Sequence, residues 1–115
     1  MYSINPTPCF QRDIKKLFKK YPNIQKDCLP LLDQLEKGVF EDNKIQGFDY
    51  KIFKVRVGSS DQKKGKRGGF RIIYYVSASK KIVYLFGIYA KTKQENIAKS
   101  KIKKILQFLR EAKNL

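Results

Sequence analysis

Hydrophobic residues recur along the chain in two different periods, and the change between them divides it into elements. From Arg12 to Tyr21, the residues Ile14, Leu17, Phe18 and Tyr21 fall at helical spacing with Lys15, Lys16, Lys19 and Lys20 opposite, which predicts an amphipathic helix ended by Pro22. A second helical pattern runs through Ile24, Cys28, Leu31, Leu32 and Leu35, with Asp27 as the expected cap ahead of Pro30 and Gly38 as the stop. From Asp49 the period becomes two. Phe53, Val55 and Val57 point one way, and Lys54 and Arg56 point the other. After a polar, glycine-containing stretch from Gly58 to Gly69, the β-rich runs Phe70–Val76 and Lys81–Tyr89 are joined by the hairpin connection SASKK. Ile97, Ile102, Ile105, Leu106 and Leu109 return to helical spacing.

This order predicts one α+β domain over residues 1–115: a helical hairpin and a C-terminal helix on one face of a small twisted antiparallel sheet. The sheet is a meander of three strands, with Tyr2–Ile4 as an additional N-terminal edge strand. No repeat or low-complexity linker divides the chain.

Composition changes this outline in one respect, its charge. Lys and Arg number 26 against 10 Asp and Glu, a net +16, which attracts phosphate polymers and anionic surfaces. A Lys-rich composition accounts for most of the scattered lysines, but not for the segment Lys54–Arg71. That segment holds Lys54, Arg56, Lys63, Lys64, Lys66, Arg67 and Arg71 against one acid, Asp61. Gly65, Gly68 and Gly69 let its backbone approach a phosphate closely. A run such as KKGKR is ordinarily a solvated loop. Here it is bracketed by Lys54 and Arg56 on one strand and Arg71 at the start of the next, and Lys91 ends the last strand. Tyr74, Tyr75, Tyr84 and Tyr89 on the same strands suit sheet packing, as aromatics generally do, and also suit stacking on unpaired bases.

What is missing narrows the chemistry. Without histidine there is no Ser-His-Asp triad and no histidine metal centre, the scattered carboxylates form no magnesium cluster, and a cofactor-free mechanism built on Lys, Arg and Tyr remains. Two cysteines, Cys9 and Cys28, make no disulfide framework, and the longest apolar stretch, Ile82–Ala90, is too short to span a bilayer. The expected setting is the reduced cytoplasm, with no membrane partner.

The segments KVRV, KGKRGGFRIIYYV and LFGIYAKTKQENI together resemble the RelE/ParE toxin superfamily, and most closely its HigB-like branch. The resemblance extends over FQRDIKKLFKKYP and the helix after it. It implies a toxin of a type II toxin-antitoxin pair, a metal-independent endoribonuclease that cuts mRNA in the ribosomal A site by 2′-hydroxyl attack. It also implies a partner antitoxin of HigA-like helix-turn-helix type, with operator DNA reached only through that antitoxin. By the same resemblance Lys54 orients or deprotonates the hydroxyl, and Arg56 and Arg71 hold the phosphorane charge. The chain departs from the pattern after Tyr89, where relatives carry a catalytic arginine and a stacking tyrosine but this sequence has Lys91, Thr92 and, further on, Ile97. Protonation of the leaving oxygen then falls to Lys91 or Arg67, and stacking to Tyr89 or Tyr75. Lys63, Lys64, Lys66 and Arg67 are expected to dock on RNA. Two alternatives stand beside this reading: a gyrase inhibitor of ParE type, and a non-catalytic RNA- or ribosome-binding protein, which charge alone fits equally well.

Overall fold

The structure, a computed structural model, describes residues 1–40, 43–62, 68–91 and 99–112. In chain order the elements are β1 (Ser3–Pro6), α1 (Pro8–Phe18), α2 (Ile24–Glu36), β2 (Ile52–Val57), β3 (Phe70–Ser77), β4 (Ile82–Ala90) and α3 (Lys99–Glu111). The sheet runs β1-β4-β3-β2, with β2, β3 and β4 as the expected antiparallel meander. The N-terminal edge strand is present but pairs parallel to β4, so the sheet is mixed rather than antiparallel. The physical reason is the connection. From β1 the chain passes through both helices and re-enters the sheet at the far edge, which leaves β1 free to lie alongside β4 in the same direction.

A second correction concerns the layers. The helices do not share one face: α1 and α2 pack on one side of the sheet and α3 on the other. The cause lies in β3 and β4. A strand with one wet face alternates, whereas FRIIYYVS and VYLFGIYA are buried at every residue, as in strands covered on both faces. Phe70, Ile72, Tyr74 and Val76 face α1 and α2, while Ile73 and Tyr75 face α3. The register slips between Ile73 and Tyr74, so that Phe86 is an extra residue in β4 and its ring joins the α3 side.

Local chemistry explains where the helices start and stop. α1 begins four residues earlier than the hydrophobic pattern suggests, because Thr7 caps it. Its Oγ1 accepts from the Phe10 N–H (3.3 Å) and donates to the Leu85 carbonyl (2.8 Å), and Pro8 occupies the first turn. Asn23, not Asp27, stands at the N-cap position of α2, which runs through Pro30 and buries Ile24, Cys28, Leu31 and Leu35. Gly38 stops it with φ at +79°. Beyond the end of β1, the edge N–H of Ile88 donates to Asp13 of α1 (3.3 Å). None of the described helices is long and apolar enough to cross a membrane.

On the α3 side, Ile102 is fully buried among Ile52, Ile73, Phe86 and its own helix's Leu106. Truncation there removes apolar contacts and leaves a cavity. Ile102→Ala is expected to lower the unfolding free energy by about 2–5 kcal/mol, measured by urea denaturation. A change below about 0.5 kcal/mol would show that α3 is not packed as described.

Candidate nucleic-acid interface

Strand pairing, not the loop, brings the predicted cations together. Arg56 on β2 lies directly opposite Arg71 on β3, and Arg71 lies opposite Tyr89 on β4, so one row crosses three strands. Lys54 is two residues along on the same face, opposite Ile73. Lys91 follows β4 and its backbone N–H donates to the Gly69 carbonyl (3.1 Å), which fixes it at the end of the sheet from which Arg71 starts. These residues line a cavity of about 440 Å³ with Asn43, Lys44 and Ile45. Of the described residues that line it, five of seven are cationic and none is a carboxylate.

Arg71 is the unusual member. Only 5% of it is exposed, although arginine is rarely buried unless paired. Its Nη1 donates to the carbonyls of Gly68 (3.0 Å) and Phe70 (3.1 Å). Burial depresses its pKa, the neighbouring Arg56 depresses it further, and Tyr89 works in the opposite direction. An arginine so placed stays protonated, so the site holds a charge that is held in place by backbone and is not neutralised by any described carboxylate. Neither ion pair among the described residues, Lys37–Asp33 or Lys101–Asp13, reaches it. Like charges directly opposite in a sheet are destabilising, and an incoming anion relieves that cost. For Tyr89, burial pushes the phenol pKa up and Arg71 pulls it down.

The backbone around the row is held by side chains of the loop stem. Asp27 of α2 accepts from both the N–H (3.0 Å) and the hydroxyl (3.2 Å) of Ser60. Asp61 accepts from the N–H and the side-chain amide of Asn23, each at 2.9 Å. Gln62 Oε1 accepts from the Gly69 N–H at 2.6 Å. Gly69 itself has φ at +53°, and a Cβ there would collide with the Val57 carbonyl, so this position requires glycine. Asp61, the lone acid of the basic segment, is thus used to fasten the loop to α2.

Of the residues singled out from sequence, Lys54, Arg56, Arg71 and Lys91 share the cavity. Lys63, Lys64, Lys66 and Arg67 lie outside the described residues. Tyr75 does not offer a stacking face: it is buried on the α3 side against Tyr84 (centroids 5.8 Å), Tyr50 (5.4 Å) and Phe86, because its strand position points into a covered face. Tyr89 is also buried, but beside Arg71 in the row. Sequence reasoning missed Asn43, Lys44 and Ile45. They add a short bridge on the outer edge of β2, where Lys54 N donates to the Asn43 carbonyl (3.0 Å) and Ile45 N to the Ile52 carbonyl (2.7 Å). Three residues are too few for a periodic signal, and only Lys44 hinted at a role.

An α+β domain of three helices on a four-stranded mixed sheet is the fold of solved RelE toxin structures. The isolated Escherichia coli RelE toxin matches it with a TM-score of 0.55 and 17% identity, over 95% of this chain and 100% of that one. An arginine-substituted mutant of E. coli RelE in the free state gives 0.54 and 22%, over 82% and 87%. The intact E. coli RelBE toxin–antitoxin complex gives 0.52 and 22%, over 76% and 94%. The family model described as the RelE toxin of the RelE/RelB toxin-antitoxin system matches residues 11–115. The chain belongs to this family and is a RelE-like toxin of a toxin–antitoxin system.

If the buried charge serves binding rather than folding, it is dispensable to stability. Arg71→Met, which keeps the volume and removes the charge, is expected to cost no more than about 1 kcal/mol in urea denaturation at low salt, or to stabilise. A loss of about 3 kcal/mol or more would make Arg71 a structural hub instead.

Proposed function

We propose that this toxin is a metal-independent, ribosome-dependent endoribonuclease that cuts mRNA in the A site and so stops translation. The observation that carries the reading is the cationic row Lys54, Arg56 and Arg71, with Lys91 at its end, lining one cavity that has no carboxylate among its described residues. Such a site attracts a phosphodiester and stabilises additional negative charge on it. In the proposed reaction the 2′-oxygen attacks the adjacent phosphorus and loses its proton. The bond from phosphorus to the 5′-oxygen breaks, and that oxygen gains a proton. The products are a 2′,3′-cyclic phosphate and a 5′-hydroxyl.

In this scheme Lys54 orients the 2′-hydroxyl and receives its proton, Arg56 and Arg71 hold the phosphorane charge, and Lys91 or Arg67 protonates the leaving oxygen. Positioning and charge stabilisation supply most of the rate. Tyr89 lies beside Arg71 but is as buried as Tyr75, so neither tyrosine is assigned to stacking on a base, and Lys63, Lys64, Lys66 and Arg67 are assigned to docking on ribosomal RNA. The segments KVRV and KGKRGGFRIIYYV support the HigB-like branch. They support with it an antitoxin of HigA-like helix-turn-helix type, which alone would contact operator DNA, and a cytoplasmic site of action.

The test is cleavage of a defined mRNA on programmed ribosomes. The protein is expected to cut in the A site, with Arg71→Ala and Lys54→Ala each slowing single-turnover cleavage by about 10²-fold or more. Near-full cleavage by both variants would refute the assignment. Ribosome binding without cleavage would leave a non-catalytic RNA binder, and inhibition of gyrase supercoiling would place the chain with the ParE type.

A further inference from the structure

The cleft is not uniform in chemistry. Among its described lining residues only Asn43 and Ile45 are uncharged, and both belong to the short segment bridged to the outer edge of β2. The bridge pairs Lys44 with Phe53, which sets Asn43 opposite Lys54 and Ile45 opposite Ile52. The hydrogen bonds agree: the Lys54 N–H donates to the Asn43 carbonyl (3.0 Å), and the Ile45 N–H donates to the Ile52 carbonyl (2.7 Å). Residues directly opposite in an antiparallel pair share a sheet face. Asn43 and Ile45 therefore stand on the face that carries Lys54 and Arg56, with Ile45 half-buried against the cluster on the α3 side and Asn43 exposed. In sheet order they lie beyond β2, on the side away from Arg71 and Lys91.

We propose that Asn43 and Ile45 form a nucleobase subsite, in which a base next to the phosphate held by Lys54, Arg56 and Arg71 lies against Ile45 and is read at its edge by the Asn43 amide. The proposal rests on the reading of the cleft as an RNA site. Contacts to phosphate position a strand but carry no sequence information, so the cations of the row cannot by themselves select a nucleotide. Ammonium and guanidinium groups only donate hydrogen bonds. A carboxamide donates and accepts from adjacent atoms, and the four bases place their donors and acceptors differently, so an amide held at one point tells them apart. Ile45 adds an apolar surface for the flat face of a ring, which no cation of the row offers. The separation fits as well: neighbouring strands lie about 5 Å apart, so Asn43 is one spacing from Lys54 and two from β3, the scale of a phosphate and its own base.

The probes are four uncleavable 2′-deoxy trinucleotides that contain only adenine, cytosine, guanine or uracil, each titrated into the full-length protein at low salt. The wild-type protein is expected to bind the best of the four at least about tenfold more tightly than the worst, and Asn43→Ala to compress that range to about twofold. Asn43→Asp keeps the shape but only accepts. It should move the order toward adenine and cytosine, which present an amino group where guanine and uracil present a carbonyl. Because Asn43 is exposed and its backbone makes the bridge, Asn43→Ala should keep the wild-type unfolding midpoint.

Equal affinity of the wild type for all four trinucleotides would overturn the proposal. So would a range that persists in Asn43→Ala, and an equal loss on all four in that variant would place the amide on a phosphate instead. In each of these cases, binding that is weakened by Arg71→Met leaves the RNA reading of the cleft standing and removes only the base subsite. No binding of any trinucleotide, or binding indifferent to Arg71→Met, would remove both.

Discussion

Arg71 stands at the second position of β3, the strand paired on both sides and covered on both faces, and this constraint orders the cleft around it. Burial removes its water, and the two carbonyls that receive its Nη1 hold the guanidinium without neutralising it. Cross-strand register then sets Arg56 on one side of it and Tyr89 on the other. The loop stem follows from the same requirement: Gly69 must turn where a Cβ would strike Val57, and Gln62, Asp61 and Asp27 hold that turn against α2. A charge in such a place costs folding energy, which is characteristic of positions kept for what they bind.

How far the chain was legible depended on what each signal encodes. Period-two alternation in IFKVRV put Lys54 and Arg56 on one face, and that face is the cleft. The bracketing of the basic loop by Arg56 and Arg71 became a direct register pair. The unbroken apolar runs of β3 and β4 carried the information that both faces are covered, but a run without alternation does not say which helix lies on which side. The start of α1 depended on Thr7, whose hydroxyl bonds to β4 78 residues away, and no local pattern reports such a contact. Pro30 suggested a late start for α2. Yet the helix accommodates it, and Asp27, the expected cap, bonds to Ser60 instead. Tyr75 was misjudged because an aromatic on a strand reads the same whether it faces solvent or a third helix.

In the cleft, five cations converge with Ile45 as the one apolar side chain among the described lining residues, an arrangement suited to an anion. α3 covers the rest of the sheet face on which the row lies, packing on Ile73, Tyr75 and Tyr89.

The central claim is that Arg71 is a charge waiting for a phosphate. The most direct measurement is thermal unfolding of the wild-type protein and Arg71→Met over rising concentrations of an uncleavable 2′-deoxy analogue of an RNA oligonucleotide. A ligand that binds only the folded state raises the midpoint with concentration. The account predicts a rise for the wild type and most of that rise lost in Arg71→Met. The same rise in both proteins would contradict it, because the oligonucleotide would then be held by the remaining surface charge and not by the buried row.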